Sequence, residues 1–392
     1  MVPIGRWQLI YVLGNLQLPE YRPPLSDGSY RNFPTEGLTL GCRGIAVVPP
    51  NDPRVTAIAT REPSAARLLQ SFRDLTGQPY HPAVLIAESK LLRRINRDES
   101  AIVAFRNALA LSIILKERAK AIKNGSSVGP TWSDFFDAFP ITIGRRGRLL
   151  TLSPAVQGVW LDDTKPISAP APYLPHFEQI PSWDHYLWDS LGKLWTKFYS
   201  YPRPNDHLGH RVFRSLELAY QACATPIKNQ GSLHDYGVMV ALWVSALEVL
   251  AHPGKGNVTP EHVINLIGSY QWSGRMLNGR WYDVFVNKGE YIKGKFVQAA
   301  YRHLYDFRSK FLHGDRVTER LIRPFPRRRW ISVIDVAPFL YRTALVETLR
   351  QEFPLPTETN GISAAIGYEL FDHEDYETAL ERIIRNAGLD QV

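Results

Sequence analysis

Residues 165–182, KPISAPAPYLPHFEQIPS, hold five prolines and almost no hydrophobic periodicity, and they constrain the fold more than any other stretch. A backbone that loses donors this often can continue neither a helix nor a sheet ladder, so the stretch reads as a linker. It separates a mixed α/β part over residues 1–164 from a helical part over 183–352, with a C-terminal helical tail over 353–392. The fold class expected is therefore α+β: a mixed N-terminal domain followed by an all-α bundle.

Before the linker, WQLIYVL (7–13), GLTLGCRGIAVVP (37–49), RVTAIAT (54–60) and PAVLIAE (82–88) are rich in β-branched and apolar residues and are punctuated by clusters such as PPNDP. That is the pattern of strands joined by turns. Two helices are expected between and after them. One runs over 60–77 with Thr60 as N-cap and Gly77 as stop; the other runs between Asp98 and Gly125 in the same roles. ITIGRRGRLLTLS (141–153) reads as a hairpin turning at Gly144–Gly147, with Arg145, Arg146 and Arg148 as a solvated basic turn.

After the linker, WDHYLWDSLGKLWTKFYSYP places Trp183, Tyr186, Leu187, Leu191, Leu194, Trp195 and Phe198 on one helical face, which must be buried. Five further helical segments begin near Asp206, Asp235, Thr259, Gly294 and Val333, and their short connections favour antiparallel neighbours in a bundle. The most apolar of them, Val238–Ala251, is too short to span a bilayer and carries Glu248, so it reads as a buried helix. The tail segment DHEDYETALERIIRNAGL has acids in its first turn, arginines in its last and Gly388 beyond.

Composition narrows the function classes. With 44% hydrophobic and 21% charged residues the chain lies outside the disordered class, and a net charge of +8 favours a polyanionic partner. Cys42 and Cys223 stand alone, which argues against a zinc site or a disulfide framework and for a reducing cytoplasm. The HxxH spacing in DHLGH (206–210) reads as the start of a helix. No P-loop, GxGxxG or metal-spaced histidine set is present, so no cofactor, no metal and no membrane association are expected.

The chemistry-bearing stretch is YRHLYDFRSKFLHGD (301–315). An arginine five residues before a histidine is expected about once by chance in this composition, so the spacing alone carries no weight. Placed on a helix starting near Phe296, however, Arg308 shares a sector with Val297, Ala300, Tyr301, Leu304 and Phe311 and points toward the core. An internal arginine needs a partner, and Glu248, alone in an otherwise apolar helix, is the acid expected to meet it. His313 precedes Gly314, a natural helix stop, about 7–8 Å along the axis from Arg308, so one phosphate could touch both. Such a pair suits RNA: the histidine moves a proton at the 2′-hydroxyl or the leaving 5′-oxygen, and the arginine holds the phosphoryl oxygens. On spacing and burial alone, an ion-paired Arg308 and a merely polar helix terminus at His313 remain the plainer alternative.

VALWVSALEVLA followed some fifty residues later by LYDFRSKFLHGD resembles the HEPN superfamily, and within it the Apea-like branch, over about residues 205–352. The resemblance implies a helical bundle that pairs as a homodimer, with a composite, metal-independent ribonuclease site near the dimer interface. In it Arg308 would bind the scissile phosphate, His313 would be the general acid and base, and Glu248 would orient Arg308. The product would end in a 2′,3′-cyclic phosphate. Ser309 stands where many HEPN motifs carry Asn, Asp or His, and it keeps a hydrogen-bonding group there. Ser309, Lys310 and the basic cluster Arg327, Arg328 and Arg329 are candidate RNA contacts. The branch is associated with prokaryotic antiviral defence, which implies a toxin-like endonuclease with a phage-derived trigger or partner subunits. The resemblance does not extend to residues 1 to about 180, where a sensing or restraining role is the expectation. The alternative is a non-catalytic HEPN that serves as a dimerisation or nucleic-acid-binding subunit of a larger defence complex.

Overall fold

The computed structural model describes residues 7–13, 16, 18, 44–73, 78–96, 98–125, 141–143, 149–151, 159–160, 182–201, 206–224, 232–287, 289–324, 332–356, 368 and 373–386. The architecture is α+β, small antiparallel sheets with a predominantly helical second half. Two compact units divide it: 1–102 with 133–181 and 199–201, and 103–132 with 182–198 and 202–392. This differs from a cut at the proline-rich stretch, because most of one N-terminal helix belongs with the second unit. The linker itself and the basic turn at Arg145, Arg146 and Arg148 lie outside the described residues.

The first unit is built on β1 (Trp7–Leu13), β2 (Ile45–Val48) and β3 (Ala83–Glu88), in the order β1-β3-β2, all antiparallel. β3 is central and buried from Ala83 to Ala87, so its apolar run covers both faces. Between β2 and β3 run α1 (Pro53–Arg61) and α2 (Pro63–Gln70). RVTAIAT is therefore helix, not the expected strand. Asp52 caps it by accepting the Arg54 N–H at 2.8 Å, Pro53 occupies the first turn, and Val55 and Ile58, three apart, pack on Trp7, Val84 and Ile86. These signals outweigh the β preference of its Val, Ile and Thr residues. Thr60 lies inside α1, and Glu62 precedes α2 in its place; Gly77 lies outside the described residues. α3 (Ser89–Arg94) follows β3, and β4 (Ile141–Ile143), β5 (Leu149–Thr151) and β6 (Val159–Trp160) form a second antiparallel sheet that includes the expected hairpin pairing.

α4 (Glu99–Lys123) begins at Asp98, whose carboxylate accepts the Ser100 N–H at 2.9 Å, and ends before Gly125 at φ +84°. From Val103 it belongs to the second unit, where Phe105 packs edge-on against Trp195 of α5 (His185–Trp195). α6 (His207–Ala224) starts with Asp206 accepting the Gly209 N–H at 3.0 Å, so DHLGH is a capped helix start; no group of three or more metal-ligating side chains occurs among the described residues. α7 (Leu233–Leu250), capped by a Ser232–Asp235 box, packs on α6, α10 (Phe296–His313) and α12 (Val333–Arg350). Its 18 residues have a mean hydropathy of 1.3, enough in length and composition to cross a membrane, but Met239, Val240, Trp243, Val244 and Leu247 are core residues here.

α12 is buried along nearly its whole length, including Arg342. That guanidinium pairs with Asp184 at 3.1 Å, donates to the Tyr270 hydroxyl at 2.6 Å and lies 4.2 Å over Tyr376. The cluster joins the start of α5 to the final helix α13 (Glu374–Asn386), which Lys116 and Lys123 of α4 also grip through Asp375. Between α8 (Pro260–Gly268) and α10 the all-α expectation fails. After the short α9 (Arg275–Asn278), β7 (Tyr282–Asn287) and β8 (Glu290–Gly294) form a hairpin with Val284 and Val286 buried. A short α11 (Glu319–Ile322) follows α10.

Candidate active site at the end of helix α10

α10 owes its start to the Gln298 side chain, whose Oε1 accepts the Lys295 N–H at 2.7 Å and whose Nε2 donates to the Ile264 carbonyl at 3.1 Å. Its buried stripe is Phe296, Val297, Ala300, Tyr301, Leu304 and Phe307. Gly237 of α7 touches this helix so closely that a Cβ there would lie 2.2 Å from the Phe311 ring. With Gly237 beside Phe311 and Glu248 beside Arg308, the order of contacts is reversed between the helices, so α7 and α10 run antiparallel.

Arg308 and Glu248 meet as the sequence requires, Nη2 to Oε2 at 3.6 Å, with 23% and 16% of their side chains exposed. Arg308 is thus at the open edge of the core and not within it. Its guanidinium also lies 5.9 Å over the Tyr305 ring, one turn toward the helix N-terminus, as helical side chains lean. Burial pushes the Glu248 carboxyl above its ordinary pKa, and the nearby Arg308 pulls the other way without cancelling the shift. Three buried polar atoms in this neighbourhood make no hydrogen bond among the described residues: Arg308 Nε, Arg302 Nε and the Tyr301 hydroxyl.

His313 is the last residue of α10 and is exposed. Gly314 ends the helix at φ +77°, and the Lys310 carbonyl accepts both the Gly314 N–H and the Asp315 N–H, the latter at 3.0 Å. The imidazole is therefore held by a fixed helix terminus and not by a loop. Ser309 is half-buried and Lys310 exposed on the same last turns, with Leu312 exposed beside them and Leu233 exposed at the start of α7. Arg327, Arg328 and Arg329 lie outside the described residues.

Tyr301, Arg302 and Tyr305 belong to this site and were not singled out from sequence. Their signal was present: Tyr301 and Tyr305 stand seven and three residues before Arg308, the spacing that stacks side chains along one helical face. Arg302 lies 5.3 Å over Tyr305 and pairs with Asp306 at 2.6 Å, so two guanidinium groups flank one tyrosine ring.

No family model, no curated protein and no solved structure matches the chain.

Proposed function

We propose that the chain is a metal-independent RNA endonuclease of HEPN type that acts as a homodimer, with Arg308 and His313 as its catalytic pair. The observation that carries the reading is the half-buried Arg308, paired at 3.6 Å with Glu248 and with its Nε unbonded, on the same helix as the exposed, terminally fixed His313. A phosphate arriving at the edge of the core would gain a second, charge-assisted partner for a guanidinium that Glu248 only partly satisfies. His313 would take the proton from the RNA 2′-hydroxyl as the 2′-oxygen attacks phosphorus. The P–O5′ bond then breaks, a proton passes to the 5′-oxygen, and a 2′,3′-cyclic phosphate and a 5′-hydroxyl remain. Arg308 would hold the two non-bridging oxygens as charge builds on them.

Arg308 leans toward Glu248, away from His313 of its own helix, which favours a site completed across a dimer. The exposed Leu312, next to His313 in the chain, and the exposed Leu233, whose neighbour His234 lies 5.7 Å from the Phe311 ring, suit that contact. A role in antiviral defence within the cytoplasm, with a trigger acting through the N-terminal unit, extends the same proposal. Purified chain incubated with total RNA and tRNA should cleave them. Arg308→Ala and His313→Ala should each lose at least about 100-fold in rate, the usual weight of a general base or a charge-stabilising group. Mixing the two variants should restore part of the activity. Equal activity of wild type and both variants overturns the assignment. A second reading, a non-catalytic HEPN that only pairs or binds nucleic acid, is supported by the 3.6 Å pairing of Arg308 with Glu248 taken as a structural ion pair, and cleavage by wild type but by neither variant excludes it.

A further inference from the structure

The β7–β8 hairpin presents two different faces. Val284, Val286 and Gly294 turn inward. The alternate positions turn outward and stand opposite one another across the strands as Asp283 with Lys293 and Phe285 with Tyr291; Trp281 and Lys295 continue the row one position beyond. This outer face combines aromatic rings and cations. Trp281 is 59% and Tyr291 64% exposed, Lys295 Nζ sits 3.8 Å over the Trp281 ring, and Tyr291 lies 5.3 Å from Phe285. The row does not stop at the hairpin. Arg302 of α10 lies 4.6 Å over Phe285 and 5.3 Å over Tyr305, and Arg308 lies 5.9 Å over that same Tyr305. A continuous set of contacts thus runs from the exposed Tyr291 through Phe285, Arg302 and Tyr305 to the candidate catalytic arginine.

We infer that the outer face of β7–β8, continued by Arg302 and Tyr305, is a track for single-stranded RNA that delivers the strand to Arg308. The inference rests on the nuclease reading for its destination, but its own chemistry is separate. Single-stranded nucleic acid is held where bases stack on exposed rings while cations follow the phosphates, and it needs no base-specific contact. Lys293 and Lys295 argue against a protein partner for this face, since interface cores are depleted in lysine. The two acids along it are each paired, Asp283 with Lys293 at 2.5 Å and Asp306 with Arg302 at 2.6 Å, so the face as a whole does not repel phosphate. The track would favour unpaired strands, because a ring can stack only on a base whose own stack is open.

Binding is best separated from cleavage by working with full-length chain carrying His313→Ala and measuring anisotropy of fluorescein-labelled 12-mer oligo(A) and oligo(U). A joint Trp281→Ala and Tyr291→Ala change should weaken binding by at least roughly 5- to 150-fold, the range expected for losing a single base stack, whereas Tyr291→Phe should bind as the parent does. Changing Lys293 and Lys295 to Gln should flatten the dependence of log affinity on log salt by about 0.7 for each phosphate that is no longer neutralised. Unchanged affinity in the aromatic double variant, or no binding by the parent, overturns the track while leaving the cleavage assay of Arg308 and His313 to stand or fall by itself. Loss of a dimer in the double variant, with RNA affinity per folded chain unchanged, overturns it in favour of a protein interface.

Discussion

Glu248 carries the tension of the site. Burial disfavours its charge more than Arg308 favours it, so in the folded chain it holds its proton to a higher pH than in the unfolded chain. The sign follows: the folded state binds the extra proton, so this group contributes stability at low pH that is lost as pH rises through its folded value. Removing Arg308 takes away the one influence that lowers it, so Arg308→Ala should raise the Glu248 pKa further, read from its side-chain carbon shift in an NMR titration. An unmoved or lowered value would mean that the 3.6 Å pair is not formed in solution. Arg342 shows the contrast. Its fully buried guanidinium pairs with Asp184, donates to the Tyr270 hydroxyl and lies over the Tyr376 ring, with Nη2 alone unbonded among the described residues, while Arg308 meets one carboxylate at 3.6 Å and keeps an edge to solvent.

At the scale of elements, the contact between Gly237 and Phe311 sets how closely α7 and α10 pass. Alanine is normally the better helix residue by about 1 kcal/mol, but a Cβ at 2.2 Å from the ring must displace it. Gly237→Ala is therefore expected to destabilise the fold by about 1–3 kcal/mol in urea unfolding, with recovery when Phe311→Leu is added; a neutral or stabilising single change would contradict the packing. These helices were legible from the sequence because their apolar stripes are long and regular, and the Glu248–Arg308 pair was legible because each is the odd polar residue on a buried face. Three things were not. RVTAIAT looks like a strand in isolation, and only the Asp52 cap with Pro53 makes it a helix. The β7–β8 hairpin is short, interrupts a helical series, and shows its period of two only over Tyr282–Asn287 and Glu290–Gly294. The lean of Arg308 over Tyr305 was also beyond reach, since it depends on side-chain direction and not on spacing.

At the scale of the whole molecule, the two units divide the work unevenly. The second unit holds every described candidate catalytic and RNA-binding residue, from Glu248 to His313 and the β7–β8 face. Cys223 lies in its core with its thiol pushed up to about 12 by burial, so it is an inert packing group. The net charge of +8 favours a polyanionic partner, and the proposed chemistry rests on Arg308 and His313. Cutting by these two side chains through the RNA's own 2′-hydroxyl would leave its record in the fragment ends. The most direct measurement is mass spectrometry of the fragment ends that the full-length chain produces from tRNA in the presence of EDTA. The account predicts 2′,3′-cyclic phosphate at the 3′ side and a 5′-hydroxyl opposite, with chelation making no difference; 3′-hydroxyl and 5′-phosphate ends, or cleavage abolished by EDTA, would contradict it.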